Sequence, residues 1–400
     1  MASHVDRLKA LELYFYGRDV SRLIKNLSST APLLEKLALH VYDTNISKSD
    51  STLIESTLFD GNLSSLRELC LSRVCTSLPW QNMSNLTSLE LSWAHSEMST
   101  TQLLDFFERA PLLRRIKLLY AVPDSSNTPA GRVVSLHHLK SLRIYDQVAH
   151  SILLNHLRIP TGASVRLEFE FNANSFPLPD YLPRSSDNLC NVSHITSINL
   201  NFDLGPAMRL HGPSGDLRLV GRSDFLVPIL DSQALLDLHK FPISTTESLA
   251  ISRYAIPADS STEEAAVYQT LLTMNNLRTI TLTNCITLPF ILALNPNHNA
   301  SNAIPCPKLQ ELVLDIQRRR DGLFVDELLE MARARASMGV RLSTIAINCL
   351  WEPVSKEKAP GLENYVANLD YRLGRFTPRW DAVPSDPDGV DDDSDSDEDG

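Results

Sequence analysis

Apolar residues recur along this chain at a spacing that fits a short strand followed by a turn. In residues 277–288 the order is LxxLxLxxCxxL, and the shorter core LxxLxL returns through most of the sequence. Where the pattern is regular, the fourth positions of successive cores lie 20 to 33 residues apart. These positions are Leu11, Leu37, Leu69, Leu89, Ile116 and Leu142, and later Leu249, Ile280, Leu312 and Ile345.

Such a period is typical of leucine-rich repeats, in which no unit buries its apolar face alone and neighbouring units stack. We therefore predict an α/β fold, namely a leucine-rich-repeat solenoid (horseshoe) with a concave parallel sheet and outer helices. The solenoid is expected to span residues 1–352 and to contain about 12 irregular repeats.

The spacers between these cores show helical patterns. Thr100–Arg109 places its apolar residues on one face, follows Ser99 as an N-terminal cap and ends before Pro111. Similar stretches at 21–30, 263–274 and 325–336 also precede cores. Each unit is thus predicted to be a strand, a turn, a helix and the next strand.

Two stretches interrupt the repeats. Insertions are predicted near 173–191 and 205–245, the second with an extra strand at 217–220 and a helix over about 224–238. Both are expected to leave the sheet intact and to decorate one rim. Beyond the repeats we predict a helical C-terminal cap over 353–380. Its apolar residues at helical spacing are Leu362, Tyr365, Val366, Leu369 and Leu373.

Negative charge is concentrated in the last twenty residues. The formal net charge is −11, and residues 381–400 hold ten Asp and Glu but no Lys or Arg. Without these ten charges the remainder is close to neutral, at about −1. We predict that 381–400 form a disordered acidic tail. The near-neutral remainder argues against nucleic-acid binding, which requires a basic surface.

Candidate chemistry is sparse in this sequence. It has six Cys without a CxxC pair, no HExxH, GxSxG or phosphate-binding glycine motif, and no apolar run of about 18 residues. We therefore expect no catalytic residues, no metal site, no cofactor and no membrane partner. Because no signal peptide is evident, we expect a cytoplasmic or nuclear protein.

Period-two alternation predicts which residues line the polar face of the sheet. The strongest cluster, predicted to bind a partner, is Arg115, Lys117, Arg143, Tyr145 and Arg166. Clustered arginines bind carboxylate or phosphate through paired hydrogen bonds, so an acidic or phosphorylated peptide is the expected ligand. The other interpretation is an ordinary solvated face whose neighbouring Glu168 and Glu170 balance the charge.

The tail offers two candidate phosphorylation sites. Ser394 and Ser396 lie among Asp and Glu, a context that suits acidic-directed kinases. Each phosphate would add about −1.5 to −2 charges. A solubilising charge run and a regulatory or basic-partner role are both open for this tail.

The chain resembles the leucine-rich-repeat region of fungal F-box proteins in four features. These are the irregular cores, the Cys-type turn at Cys285, phrases such as Ala31-Pro-Leu-Leu ahead of strands, and Trp380 near the end of the predicted cap. This resemblance covers roughly residues 5–375. It implies a protein–protein interaction scaffold, the substrate-recognition domain of a ubiquitin ligase receptor. The F-box itself is not found. If one precedes Met1, the resemblance implies a Skp adaptor and a cullin as partners.

A second interpretation is a stand-alone binding module. Its layout would be similar to acidic-tailed leucine-rich-repeat nuclear proteins that bind basic partners, or to regulators of a small GTPase such as the GTPase-activating proteins for Ran. Those families have much more even repeats than this chain.

Overall fold

The computed structural model describes residues 6–16, 30–42, 52–54, 58–76, 82–93, 99–122, 131–146, 151–170, 182–201, 207–222, 238, 241–252, 261–298, 303–316, 324–349 and 361–373. In chain order its strands are β1 (Ala10–Tyr16), β2 (Lys36–Tyr42), β3 (Thr52–Ile54), β4 (Glu68–Ser72), β5 (Val74–Thr76), β6 (Ser88–Ser92), β7 (Arg115–Leu119), β8 (Val134–Ser135), β9 (Ser141–Asp146), β10 (Leu157–Arg158), β11 (Ala163–Glu170), β12 (Ser197–Asn201), β13 (Ala207–Gly212), β14 (Gly215–Arg222), β15 (Ser248–Ser252), β16 (Thr279–Thr283), β17 (Glu311–Ile316), β18 (Thr344–Cys349) and β19 (Asn368–Leu373). The α-helices are α1 (Thr100–Arg109), α2 (Ser151–Leu154), α3 (Ser261–Thr273), α4 (Leu288–Leu294) and α5 (Val325–Ser337).

Fifteen of the described strands form one open sheet in the order β1-β2-β4-β6-β7-β9-β11-β14-β13-β12-β15-β16-β17-β18-β19. Neighbouring strands are parallel except at β14-β13 and β13-β12, which are antiparallel. Two short parallel pairs, β3-β5 and β8-β10, lie outside this sheet. The α/β class and the parallel sheet predicted from the sequence are therefore confirmed.

The core lies on one side of the sheet. The LxxLxL positions face it, and the hydrogen-bonded register stacks them into ladders in which Leu69 pairs with Leu89, Leu89 with Ile116 and Ile116 with Leu142. All four side chains are buried. Burying one such side chain contributes about 1.5–3 kcal/mol relative to leaving it exposed. The alternating residues remain on the opposite, polar face of the sheet.

Three of the predicted helices lie where the sequence places them, but other described spacers between strands of the sheet hold short strands or 3-10 turns instead of an α-helix. In α1 the Ser99 side chain accepts a hydrogen bond from the Gln102 N–H, and the Gln102 side chain accepts one from the Ser99 N–H, which closes a capping box. Helices α3 and α5 lie at the predicted positions. The helices predicted over 21–30 and 224–238 lie largely outside the described residues.

The sheet stays continuous at the insertion near 205–245, but the expectation that this insertion decorates one rim is wrong. Strands β13 and β14 form a hairpin that occupies two places in the sheet, between β11 and β12. The predicted extra strand at 217–220 is part of β14. Because β14 is parallel to β11, the hairpin extends the sheet rather than decorating its edge. Of the insertion near 173–191, residues 182–191 are described, and they contain short 3-10 turns.

The helical C-terminal cap predicted over 353–380 is also wrong for the described residues 361–373. A short 3-10 turn, Leu362–Asn364, leads into strand β19, which pairs in parallel with β18. The unpaired edge of β18 supplies hydrogen bonds that a helix could not use. The bounds 1–352, 353–380 and 381–400 remain predictions, and the tail lies outside the described residues.

No described helix combines the length and apolar character that crossing a membrane requires.

The hairpin depends on close backbone packing at its turn. Gly215 has a φ of +127°, and a Cβ at this position would lie 2.4 Å from the carbonyl oxygen of Ala163. Gly162 also has positive φ, +82°, but nothing lies within 4 Å of its Cβ position.

We predict that Gly162→Ala costs about 1–2 kcal/mol for the backbone conformation alone. Gly215→Ala should cost about 2–5 kcal/mol, because steric overlap adds to conformational strain.

Chemical denaturation of both variants measures this difference in the free energy of unfolding. Equal losses of stability would contradict the close packing of the hairpin turn against the start of β11.

Candidate functional site

Five basic residues form a continuous row across the polar face. The register pairs Lys117 with Arg143, Arg143 with Arg166, Arg166 with Arg218, and Arg218 with Arg209, on strands β7, β9, β11, β14 and β13. We call this set the basic row. Neighbouring strands lie about 4.8 Å apart, so the row spans roughly 19 Å. An extended peptide of about six residues would cover that distance.

One buried carboxylate fixes the middle of the row. Glu168, on β11, is 0% exposed, and its Oε1 lies 2.6 Å from Arg143 Nε and 2.9 Å from Arg166 Nε. Both arginine side chains are 25% exposed. A guanidinium has five N–H donors, so a contact through Nε does not exhaust either group. Glu168 therefore orients two guanidinium groups whose heads remain partly open to solvent.

Other carboxylates pair with the ends of the row. Lys117 Nζ lies 2.9 Å from Glu90 Oε1, and Arg209 Nη2 lies 3.4 Å from Asp216 Oδ2. The Arg218 side chain is exposed and forms no ion pair or hydrogen bond with the part of the chain that the structure describes. Three carboxylates thus face five basic groups, which leaves a modest excess of positive charge.

The structure brings together three of the predicted partner-binding residues, Lys117, Arg143 and Arg166. Arg115 lies two residues nearer the amino ends of the strands and pairs with Glu68 at 3.3 Å. Tyr145 lies beside Glu168 at the carboxyl ends, with its ring 4.6 Å from that of Tyr120. The balancing role expected of Glu168 matches this geometry, whereas the Glu170 side chain lies outside the described part.

Sequence reasoning missed Arg209 and Arg218. Neither belongs to an LxxLxL core, because both lie in the inserted hairpin. A usable signal was nevertheless present, since Met208, Leu210, Leu217 and Leu219 alternate with polar residues and are buried. This alternation sends Arg209 and Arg218 to the opposite face.

A second feature that the sequence did not reveal is a repeated turn at the carboxyl ends of the strands. Arg73, Trp93, Tyr120 and Asn284 each follow a strand with φ between +50° and +55°. Each N–H donates to a carbonyl at the end of the next strand, over 2.6 to 2.8 Å. Left-handed backbone costs a residue other than Gly about 1–2 kcal/mol. The Arg, Trp and Tyr at three of these turns are unusual, since Asn is the commoner choice.

These turns place an aromatic stack beside the basic row. The rings of Trp93 and Tyr120 lie 4.0 Å apart, and the Arg73 guanidinium lies 5.5 Å from the centre of the Trp93 ring. A separate group of rings, Tyr14, Tyr16, His40 and Tyr42, stacks across β1 and β2, with all three tyrosines exposed. The polar face therefore offers aromatic surface as well as cations.

The described residues bring no three or more His, Cys, Asp or Glu side chains into an arrangement that could hold a metal ion. The candidate phosphorylation sites Ser394 and Ser396 lie outside the described residues.

No protein-family model matches this chain, and no curated protein is significantly similar to it in sequence.

Two described thiols have a raised pKa, whereas a nucleophilic cysteine needs a lowered one. Burial, with a smaller contribution from Glu90, raises the pKa of Cys70 to about 12, and burial raises the pKa of Cys306 to about 12. The thiolate is the reactive form. At pH 8 we expect both to react with iodoacetamide roughly a thousandfold more slowly than free cysteine, whose pKa is about 8.5.

Peptide mapping of the native protein after timed alkylation measures these rates, and the unfolded protein serves as the control. Rapid labelling of native Cys70 at pH 8 would show that its thiol is more acidic than this environment allows.

Proposed function

We propose that this chain is a protein–protein interaction scaffold, a leucine-rich-repeat solenoid whose polar sheet face binds an acidic or phosphorylated segment of another protein. The basic row is the observation that supports this most directly. Arginine forks match carboxylate and phosphate oxygens. Row members Arg143 and Arg166 are held in place by Glu168, so less conformational entropy is lost on binding.

The repeat assignment has its own support. The apolar ladders keep one register through the parallel strands, and the left-handed turn after β4, β6 and β7 recurs after β16. Helices α1, α3 and α5 fall between successive strands of the sheet. A solenoid of stacked strand–turn–helix units, with a concave sheet and outer helices, would produce these features.

We further propose that the partner is the substrate of an F-box-type ubiquitin ligase, that the protein acts by binding rather than by catalysis, and that it works in the cytoplasm or nucleus. This proposal rests on the resemblance of the repeats to fungal F-box proteins. The competing possibility is a stand-alone module whose acidic tail binds basic partners or regulates a small GTPase.

The basic row can be tested with a fluorescein-labelled oligoglutamate peptide and its phosphoserine counterpart. Arg143→Glu with Arg166→Glu should weaken binding by about tenfold or more, since hydrogen bonds to charged groups contribute about 1.5–3 kcal/mol each. Arg218→Glu should also weaken binding. Fluorescence anisotropy measures each dissociation constant.

Exposed arginines outside the row provide matched controls. Arg114→Glu and Arg158→Glu change the net charge by the same amount as Arg218→Glu, yet both lie off the basic row. Equal weakening by all three would indicate a general charge effect. If the row variants fold and bind like the unchanged protein, the site is wrong. Arg218 is the most informative position, because it has no described ion pair whose loss could disturb folding.

The ligase role is tested by affinity purification from the native cells, with a C-terminal tag and the intact mass of the bait. We expect a Skp adaptor and a cullin to be recovered, because an F-box would connect the repeats to both. A bait that begins at Met1 and recovers neither subunit would contradict the ligase role. It would leave the stand-alone module as the better interpretation.

A further inference from the structure

The same chain contains a segment whose charge is opposite to that of the basic row. Residues 381–400 contain ten Asp and Glu and no Lys or Arg. We propose that this acidic C-terminal segment binds the basic row of its own chain and competes there with the acidic partner segment. The competition rests on the proposed function of the row, whereas the binding of the segment to the row can be tested by itself.

The covalent connection is long enough for this contact. Strand β19 is six places from β13 and ten places from β7 in the sheet. At about 4.8 Å per strand, these separations are roughly 29 Å and 48 Å. Residues 374–390 together reach at most about 60 Å when extended. The acidic segment can therefore reach every member of the row.

The positive charge of the row complements the negative charge of the segment. Lys117, Arg143, Arg166, Arg218 and Arg209 are adjacent in register, and Glu90, Glu168 and Asp216 neutralise them only in part. A segment of dense negative charge gains from five neighbouring cations at once. Since the segment is tethered, its effective concentration is in the millimolar range. A weak intrinsic affinity is then enough to occupy the row.

The same geometry gives Ser394 and Ser396 a role. Phosphorylation of each would add about −1.5 to −2 charges to a segment bound by guanidinium groups. Phosphorylation would therefore strengthen the internal contact and weaken binding of the partner.

Lys117 allows a direct test in the full-length protein, because a water-soluble carbodiimide joins amines to neighbouring carboxylates. We expect mass spectrometry to find cross-links from Lys117 both to Glu90, which is 2.9 Å away, and to residues 381–400. The exposed Lys140, just outside the row, is the control amine and should form far fewer links to the segment. Salt of about 1 M should remove the links to the segment, because the Debye length falls to about 3 Å.

A full-length variant in which the ten acidic residues become Asn and Gln completes the test. It should lose the cross-links to the segment and bind the oligoglutamate probe on the order of tenfold more tightly. Mixing labelled and unlabelled protein shows whether links join two copies. The proposal is overturned if the links join only different copies. It is also overturned if Lys117 is linked to Glu90 but not to the segment.

The outcomes separate this inference from the proposed function. If the neutralised variant and the natural chain bind the probe equally well and no segment link forms, the internal contact is wrong and the binding site stands. If the segment link forms but neither protein binds the probe, the internal contact stands and the acidic-partner function is wrong.

Discussion

Parallel register between neighbouring strands is the constraint on which both faces of this sheet depend. Successive side chains point to opposite faces, so a slip of one residue would send the leucines of a strand into solvent. A repeated contact prevents such a slip at the amino ends of strands. Arg114 and Arg115 both donate their N–H groups to the Thr87 carbonyl, over 2.8 and 3.0 Å. Gln310 and Glu311 make the same pair of bonds to Arg278. The basic row follows from this register, because ladders fixed by the core also align Lys117, Arg143 and Arg166.

At the carboxyl ends the left-handed turns have a comparable role, although they cost backbone energy. Each turn directs an N–H to the next strand and so satisfies a donor that would otherwise lack a partner. Tyr120 illustrates the compensation, since its N–H bonds to Tyr145 while its ring packs between those of Trp93 and Tyr145. The hydrogen bond and the ring contacts offset the strain of positive φ. They also bring aromatic surface next to the cations of the polar face.

Much of this architecture could be predicted from local spacing, and the failures have identifiable physical causes. Helix α1 was predictable because its cap, apolar face and end are all encoded within a dozen residues. Strand β19 was not predictable, because the spacing of Leu362, Tyr365, Val366 and Leu369 fits a helix. The segment forms a strand because it pairs with the edge of β18. The hairpin of β13 and β14 depends on a distant contact as well, because its Gly215 packs against Ala163. Lys117, Arg143 and Arg166 were predictable as neighbours because they lie in regular repeats, whereas Arg209 and Arg218 required knowledge of where the hairpin inserts.

The buried position of Glu168 has a consequence for how the polar face handles anions. Two guanidinium groups without this carboxylate would repel each other and lose their orientation, and removing one partner of a buried ion pair is strongly unfavourable. With Glu168 in place the groups are held side by side, but part of their charge is already neutralised. Under the proposed function, such a surface would favour ligands that present several negative charges in sequence over a single carboxylate. Arg218 and Arg209 extend the row beyond the reach of Glu168. Under the proposed function, this extension would distinguish a polyanionic segment from an isolated acidic side chain.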